Sequence, residues 1–343
     1  MKNIHTALFS LSSVALSAAN PSQPNIILIL ADDMGYSDLG CYGSEIKTPH
    51  LDSLAATGLR FSQFYNAGRS CPSRSALLTG LYPHQAGVGD MLQDDGLPAY
   101  GTHLNMQCVT LAEMLKSANY HTIMSGKWHV GSEEAYWPQK RGFDDHYYSN
   151  TTTGHYFGVA EGRKYIVDGK DTDVPGEWIL SGTSKYKLLK NEDGSQWYAT
   201  DAITNHAMDY IKKFRETDQS KPYFLYLAYT APHWPLHAFE EDIAKYQGTY
   251  LAGWDSLRVQ RLNKMIQLGL LDEKSILTGR NELVSAWETL PDTTKVYYDR
   301  LMSVYAAMID RMDQNIGRLL NFIRETNEID NTVIIFLSDN GGS

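Results

Sequence analysis

Five short stretches of this 343-residue chain bring together side chains able to do chemistry. Asp32-Asp33 directly follows the apolar run Asn25 to Leu30 (NIILIL), and Asp339-Asn340 follows a second apolar run, Thr332 to Leu337 (TVIIFL). If those runs are neighbouring strands, three carboxylates and one amide oxygen converge. Such a set is costly without a cation. Its all-oxygen chemistry suits a hard ion, Ca²⁺ or Mg²⁺, better than zinc or copper. The densest stretch is Arg69-Ser70-Cys71-Pro72-Ser73-Arg74-Ser75-Ala76-Leu77-Leu78-Thr79-Gly80, and Gly126-Lys127-Trp128-His129 and Pro232-His233 add cationic and proton-transferring groups. Each piece alone has an ordinary reading. An Asp pair caps a helix or turn, Arg74 pairs on a surface, Lys127 sits in a solvated turn, and His129 and His233 are polar packers.

The elements that must carry these residues follow from periodicity. Asn25 to Leu30, Tyr223 to Tyr229 (YFLYLAY) and Thr332 to Leu337 read as strands buried on both faces, with His121 to Met124 as a further strand. Between them lie helical patterns. Pro49 to Ala56 is closed by Gly58, Arg74 to Thr79 is stopped by Gly80, and Thr110 and Glu113 form a capping box opening a helix to about Ala118. Tyr198 to Phe214, Trp254 to Trp287 and Met302 to Ile323 are longer helical stretches, and Gly158 to Gly194 reads as a surface excursion. Strands alternating with helices predict an α/β fold with a largely parallel central sheet flanked by helices. In such sheets ligands bind at the carboxyl ends of the strands, where these polar residues fall.

With 43% hydrophobic residues, the chain has enough apolar content for one large core, and no linker or repeat divides it. Lys and Arg number 30 against 40 Asp and Glu, a net charge of −10, which argues against nucleic acid as a partner. Met1 to Ala19 has an early Lys2, an apolar run and a small-residue end, the layout of an export signal; residues 20–343 then form the catalytic domain. No later stretch is long enough to span a membrane, so a periplasmic or secreted location without stable membrane insertion is expected. Cys41, Cys71 and Cys108 allow one disulfide at most and suggest no zinc site.

The stretch around Ser70 resembles the signature of the type I, formylglycine-dependent sulfatases of the alkaline phosphatase superfamily. That signature is Cys or Ser, any residue, Pro, Ser, Arg, three residues, then Leu-Thr-Gly. Pro72, Ser73, Arg74 and Leu78-Thr79-Gly80 set the register, so the modified position is Ser70 and Cys71 is the unconstrained neighbour. The resemblance extends to Pro24 to Asp38, Gly126 to His129, Ala231 to Pro235, Tyr305 to Asp313 and Ser338 to Gly342, with the Trp254 region closest to arylsulfatases.

The resemblance implies hydrolysis of sulfate monoesters, aryl or carbohydrate. Ser70, oxidised to formylglycine and hydrated, would be the nucleophile. Asp32, Asp33, Ser70, Asp339 and Asn340 would hold calcium. Arg74 and Lys127 would position the hydrate and the sulfate, His129 would assist the second hydroxyl, and His233 would meet the ester oxygen. A serine at the modified position points to an anaerobic-type, radical-dependent maturase as a partner. His84, His155, Trp234, His237 and the loop Ser149 to Thr153 are further candidates for a substrate subsite. Two other readings stand beside this one: a phosphatase-like hydrolase with unmodified Ser70, and an inactive fragment that binds sulfated ligands. The family continues beyond the Asp-Asn pair with a further lysine and a smaller subdomain, so truncation, an exposed apolar edge and poor turnover are expected of this stretch alone.

Overall fold

The computed structural model describes residues 23–149, 154–171, 175–181 and 184–342. The export-signal reading of residues 1–19 and the loop positions 150–153 lie outside the described residues. In chain order the elements are β1 (Asn25–Asp32), α1 (Pro49–Thr57), α2 (Ser70–Thr79), α3 (Pro83–Ala86), α4 (Leu111–Ser117), β2 (His121–Lys127), β3 (Asp145–Ser149), β4 (Gly154–His155), β5 (Gly158–Ala160), β6 (Ile166–Val167), β7 (Lys170–Asp171), β8 (Gly176–Ser181), β9 (Ser184–Leu189), α5 (Ala199–Thr217), β10 (Tyr223–Pro232), α6 (Glu240–Ala244), α7 (Gly253–Gln267), α8 (Asp292–Glu325) and β11 (Thr332–Ser338).

Seven strands form the main sheet in the order β11-β1-β10-β2-β3-β6-β7. The first five run parallel, with Asn25 opposite Thr332 and Ile26 opposite Phe224 in the central registers; β6 and β7 add an antiparallel margin. The expected parallel α/β sheet is present, and β11 at its edge leaves Val333 and Ile335 exposed. Alternate residues of β1 serve two cores. Ile27, Ile29 and Ala31 pack toward α5 and α8, whereas Leu28 and Leu30 pack with Cys71 and Leu78 of α2 and Ala112 of α4. Covering both faces is what makes these strands continuous apolar runs.

Part of the excursion forms a second sheet, antiparallel in the order β4-β5-β9-β8, while its β6 and β7 join the margin of the main sheet. The capping box is realised: Thr110 Oγ1 accepts from the Glu113 N–H at 3.1 Å, and Glu113 Oε2 accepts from the Thr110 N–H at 2.8 Å. Two helix readings need correction. The helix expected to reach Trp287 ends at Gln267, because Gly269 takes φ +68, and the chain beyond it is irregular up to Trp287. The helix expected from Met302 begins ten residues earlier, at Asp292 just after Pro291.

Candidate active site

Four parallel strands end on the same side of the sheet, and each delivers polar groups there. β1 ends in Asp32-Asp33, β2 in Lys127 with His129 two residues on, β10 just before His233, and β11 just before Asp339-Asn340. Register slips between β1 and β10 after Leu30, where Asp32 comes to pair with Pro232. Such irregularities re-aim side chains beside sites. Gly126 admits no side chain, since a Cβ there would lie 1.8 Å from the Ala228 carbonyl oxygen of β10. That close approach brings Lys127 and the β10 tip together.

Ser70 is the first residue of α2 rather than preceding it, as expected from a helix beginning at Arg74. Pro72 fits in the first turn, where its missing N–H costs nothing. Ser73 Oγ accepts from the Ala67 N–H at 3.0 Å and ties down the loop that leads in. Ser70 Oγ then accepts from Arg74 Nε at 3.0 Å and lies 3.3 Å from His129 Nδ1. The positive end of α2 favours negative charge at this point.

Around that hydroxyl is a buried charge cluster. Arg74 Nη2 lies 2.8 Å from Asp339 Oδ2 and 3.3 Å from Asp32 Oδ1, and Lys127 Nζ donates to both oxygens of Asp32, at 2.9 and 2.7 Å. Arg74, Lys127 and Asp32 are fully buried. The Asp33 N–H donates to Asp339 Oδ1 at 3.2 Å, and Asn340 Nδ2 donates to Asp33 Oδ1 at 2.6 Å. Asn340 thus presents its amide nitrogen to Asp33, and a half-turn of the amide would offer the oxygen instead. His233 Nδ1 faces the Trp234 carbonyl at 2.5 Å, an acceptor only, so Nδ1 carries a proton and Nε2 points to Asp33 Oδ2 at 3.5 Å.

Burial and charge act differently on these groups. Burial pushes Asp32 up to about 6, against Lys127, with Asp339 adding to the rise. Burial also acts to raise Asp339, but Arg74 and Lys127 outweigh it and hold that carboxyl well below the usual range. Burial, then Lys127 and Arg74, lowers His129 well below an ordinary imidazole, so it is neutral and able to accept a proton. Asp32, Asp33 and Asp339 outnumber the buried cations Arg74 and Lys127. Ligand atoms of Asp32, Asp33 and His233 lie within 4.8 Å of one another. The excess negative charge and the carboxylate-rich donor set fit a hard divalent cation.

The cluster floors a cleft of about 480 Å³ lined by Asp33, Ser70, Lys127, His129, His233 and Asn340, with Arg69, Met91 and Trp234 at its walls. All the expected site residues are therefore brought to one place, with Arg74, Asp32 and Asp339 just beneath the lining. Of the subsite candidates, Trp234 lines the cleft. His84 pairs with Tyr100, and His155 stacks on His237, outside that lining. Arg69 and Met91 were not foreseen; adjacency to Ser70 was the available signal for Arg69, and none existed for Met91. Cys71 is packed in the core with its thiol pushed by burial up to about 11, and all three cysteines are free thiols.

Comparison with known proteins gives a consistent result. The family described as Sulfatase matches residues 24–343. An uncharacterized sulfatase of Schizosaccharomyces pombe is 37% identical over 332 residues, covering 94% of this chain and 58% of that protein. An arylsulfatase of Klebsiella aerogenes is 36% identical over 337 residues, covering 95% of this chain and 68% of the relative. The crystal structure of Ps i-CgsB in complex with k-i-k-neocarrahexaose superposes with a TM-score of 0.65 at 30% identity, covering 94% of this chain and 59% of that one. The chain thus spans 58% to 68% of the length of these proteins.

Proposed function

Because the chain belongs to the sulfatase family, we propose that it hydrolyses sulfate monoesters, with Ser70 matured to formylglycine as the nucleophile. One observation carries the reading: the Ser70 hydroxyl lies between Arg74 Nε and His129 Nδ1, at a helix N-terminus beside the carboxylates. Maturation is a two-electron oxidation that removes two hydrogens from the Ser70 side chain, and a separate anaerobic-type radical maturase supplies the oxidation. The matured, hydrated side chain supplies two hydroxyls on one carbon, one to attack sulfur and one whose deprotonation releases sulfate. Asp32, Asp33, Asp339, Asn340 and matured Ser70 would hold a calcium ion, which when bound would supply Lewis-acid charge.

The remaining work falls to side chains of the chain itself. Arg74 keeps the nucleophilic oxygen oriented through its Nε–H while Asp339 fixes the guanidinium. His129, held neutral, takes the proton from the second hydroxyl. His233 has its Nδ1–H committed to Trp234, so only Nε2 is available to protonate the leaving oxygen. Lys127 and Arg74 offset part of the carboxylate charge, and together with a bound divalent cation they would turn the local potential positive against a net charge of −10 and draw a sulfated small molecule or glycan into the cleft. Residues 1–19 act as an export signal, leaving a periplasmic or secreted catalytic domain. Among the described residues no helix is long and apolar enough to cross a membrane.

Mass spectrometry of the Ser70 peptide from active protein is expected to show a loss of about 2 Da, the two hydrogens of the oxidation. Unmodified serine in active protein would overturn the proposal. It would favour the phosphatase-like reading, which a comparison of sulfate and phosphate monoesters with one leaving group would then test.

A further inference from the structure

The turn that carries Asp33 is held by two helices that enter the chain more than two hundred residues later. Asp33 takes φ +63, a left-handed conformation uncommon for a side-chain-bearing residue. Beyond it the Gly35 N–H donates to Asp38 Oδ2 at 2.8 Å, and a Cβ on Gly35 would lie 2.6 Å from that oxygen, so the turn closes directly onto the carboxylate. The same oxygen accepts the hydroxyl of Tyr305 on α8 at 2.7 Å; that hydroxyl also lies 3.4 Å from the Asp33 carbonyl oxygen. Asp38 Oδ1 receives Arg261 Nη1 of α7 at 2.5 Å, and Glu45 locks the same guanidinium at 2.9 and 2.8 Å.

Asp38 is buried and lies outside the cleft lining, so it touches no substrate. Burying an ionic network is expensive, and apolar packing would close a turn at lower cost. The network does something packing cannot. It ties down the chain just after Asp33, through the Gly35 N–H held by Asp38 and the Tyr305 hydroxyl that donates to Asp38 and lies 3.4 Å from the Asp33 carbonyl oxygen. We propose that Asp38, with Tyr305 and Arg261, positions the Asp33 carboxylate and so sets the affinity of the site for a divalent cation. This rests on the cation reading of Asp32, Asp33, Asp339 and Asn340.

Calorimetric titration of the protein with calcium chloride tests it. Tyr305→Phe, Asp38→Asn and Arg261→Met are expected to raise the calcium Kd about 10- to 100-fold, the usual cost of losing a group that orients a ligand. Arg261→Lys should fall between Arg261→Met and the parent. Tyr246→Phe is the control. Tyr246 donates to Asp310 of α8 at 2.7 Å in a similar hydroxyl–carboxylate pair away from the cleft. Its loss should lower stability while leaving the calcium Kd within about twofold. A parent that takes up no calcium overturns the cation reading and the inference with it. A parent that binds calcium while Tyr305→Phe and Arg261→Met match it overturns the inference alone, as does Tyr246→Phe weakening binding as much as Tyr305→Phe. If Tyr305→Phe does not fold, Asp38→Asn and Arg261→Met, which leave the aromatic packing in place, carry the same expectation.

Discussion

The strand tips and the inner face of α8 both bury clusters of charge. At the tips, Asp32, Asp33 and Asp339 meet Arg74 and Lys127. Along α8, Asp310 receives Lys245, Gln314 and Tyr246, Asp242 receives Lys245 and Gln314, and Arg311 pairs with Asp201. Burial of charge is therefore common to both regions and marks neither as a site. Three things separate them. The tips border a cleft, they include a hydroxyl at a helix N-terminus, and two of their residues, Asp33 and His129, take positive φ. None of the α8 group does. Strained backbone beside an accessible, over-charged cluster is the combination that points to chemistry.

Ser70→Ala is the sharpest way to break this comparison. Turnover of a sulfate ester should fall on the order of 10⁴-fold or more, with the fold retained, because the nucleophile is removed and no ion pair is touched. Steady-state kinetics alongside a melting curve checks both halves. Lys127→Met comes next. It strips a fully buried counter-charge from Asp32 and should cost about 3–5 kcal/mol in urea unfolding, besides abolishing turnover.

Asp313, also on α8, shows the opposite arrangement: a buried acid without a cation. Its oxygens accept the Leu51 and His50 N–H groups of α1 at 2.8 and 3.2 Å, yet burial pushes it up to about 6 from 3.8. The folded state then holds this proton more tightly than the unfolded one. Stability is greatest below about pH 4, declines as pH rises to about 6, and is level above that, by at most about 3 kcal/mol. Asp313→Asn should flatten that decline, read as urea midpoints at about pH 4.5 and 7.5. The smallest effect is expected for Lys245→Met. This lysine is more than a third exposed, so the loss should be about 1 kcal/mol or less, with turnover unchanged. A loss as large as that of Lys127→Met would erase the distinction between the regions.

Much of this was legible in the sequence because it is local. Continuous apolar runs mark the parallel strands, and the resemblance of Pro72, Ser73 and Arg74 to the sulfatase signature points to Ser70 rather than Cys71. What was not legible depends on partners distant in the chain. Nothing near Asp38 announces that Arg261 and Tyr305 will hold it, or that Asp33 will need the left-handed region. The polar spacing of Trp254 to Trp287 reads as mostly helical, and that spacing does not mark the left-handed turn at Gly269 beyond the helix end. A helix read from Arg74 leaves Ser70 ahead of it, whereas the helix begins at Ser70, since proline is compatible with a first helical turn.

The strand order has a consequence in time. β1 pairs on one side with β11, and Asn25 meets Thr332 across a sequence separation of 307 residues. Its other neighbour, β10, is also distant. An emerging chain therefore holds one of its most apolar strands unpaired on both edges while much of the domain is still being made. Contacts this remote in sequence form slowly, and bare strand edges invite association with other chains. Asp339 and Asn340 arrive with β11, so the cleft is complete only once β11 has joined β1, and intermediates that precede this pairing carry the other strands without the full site.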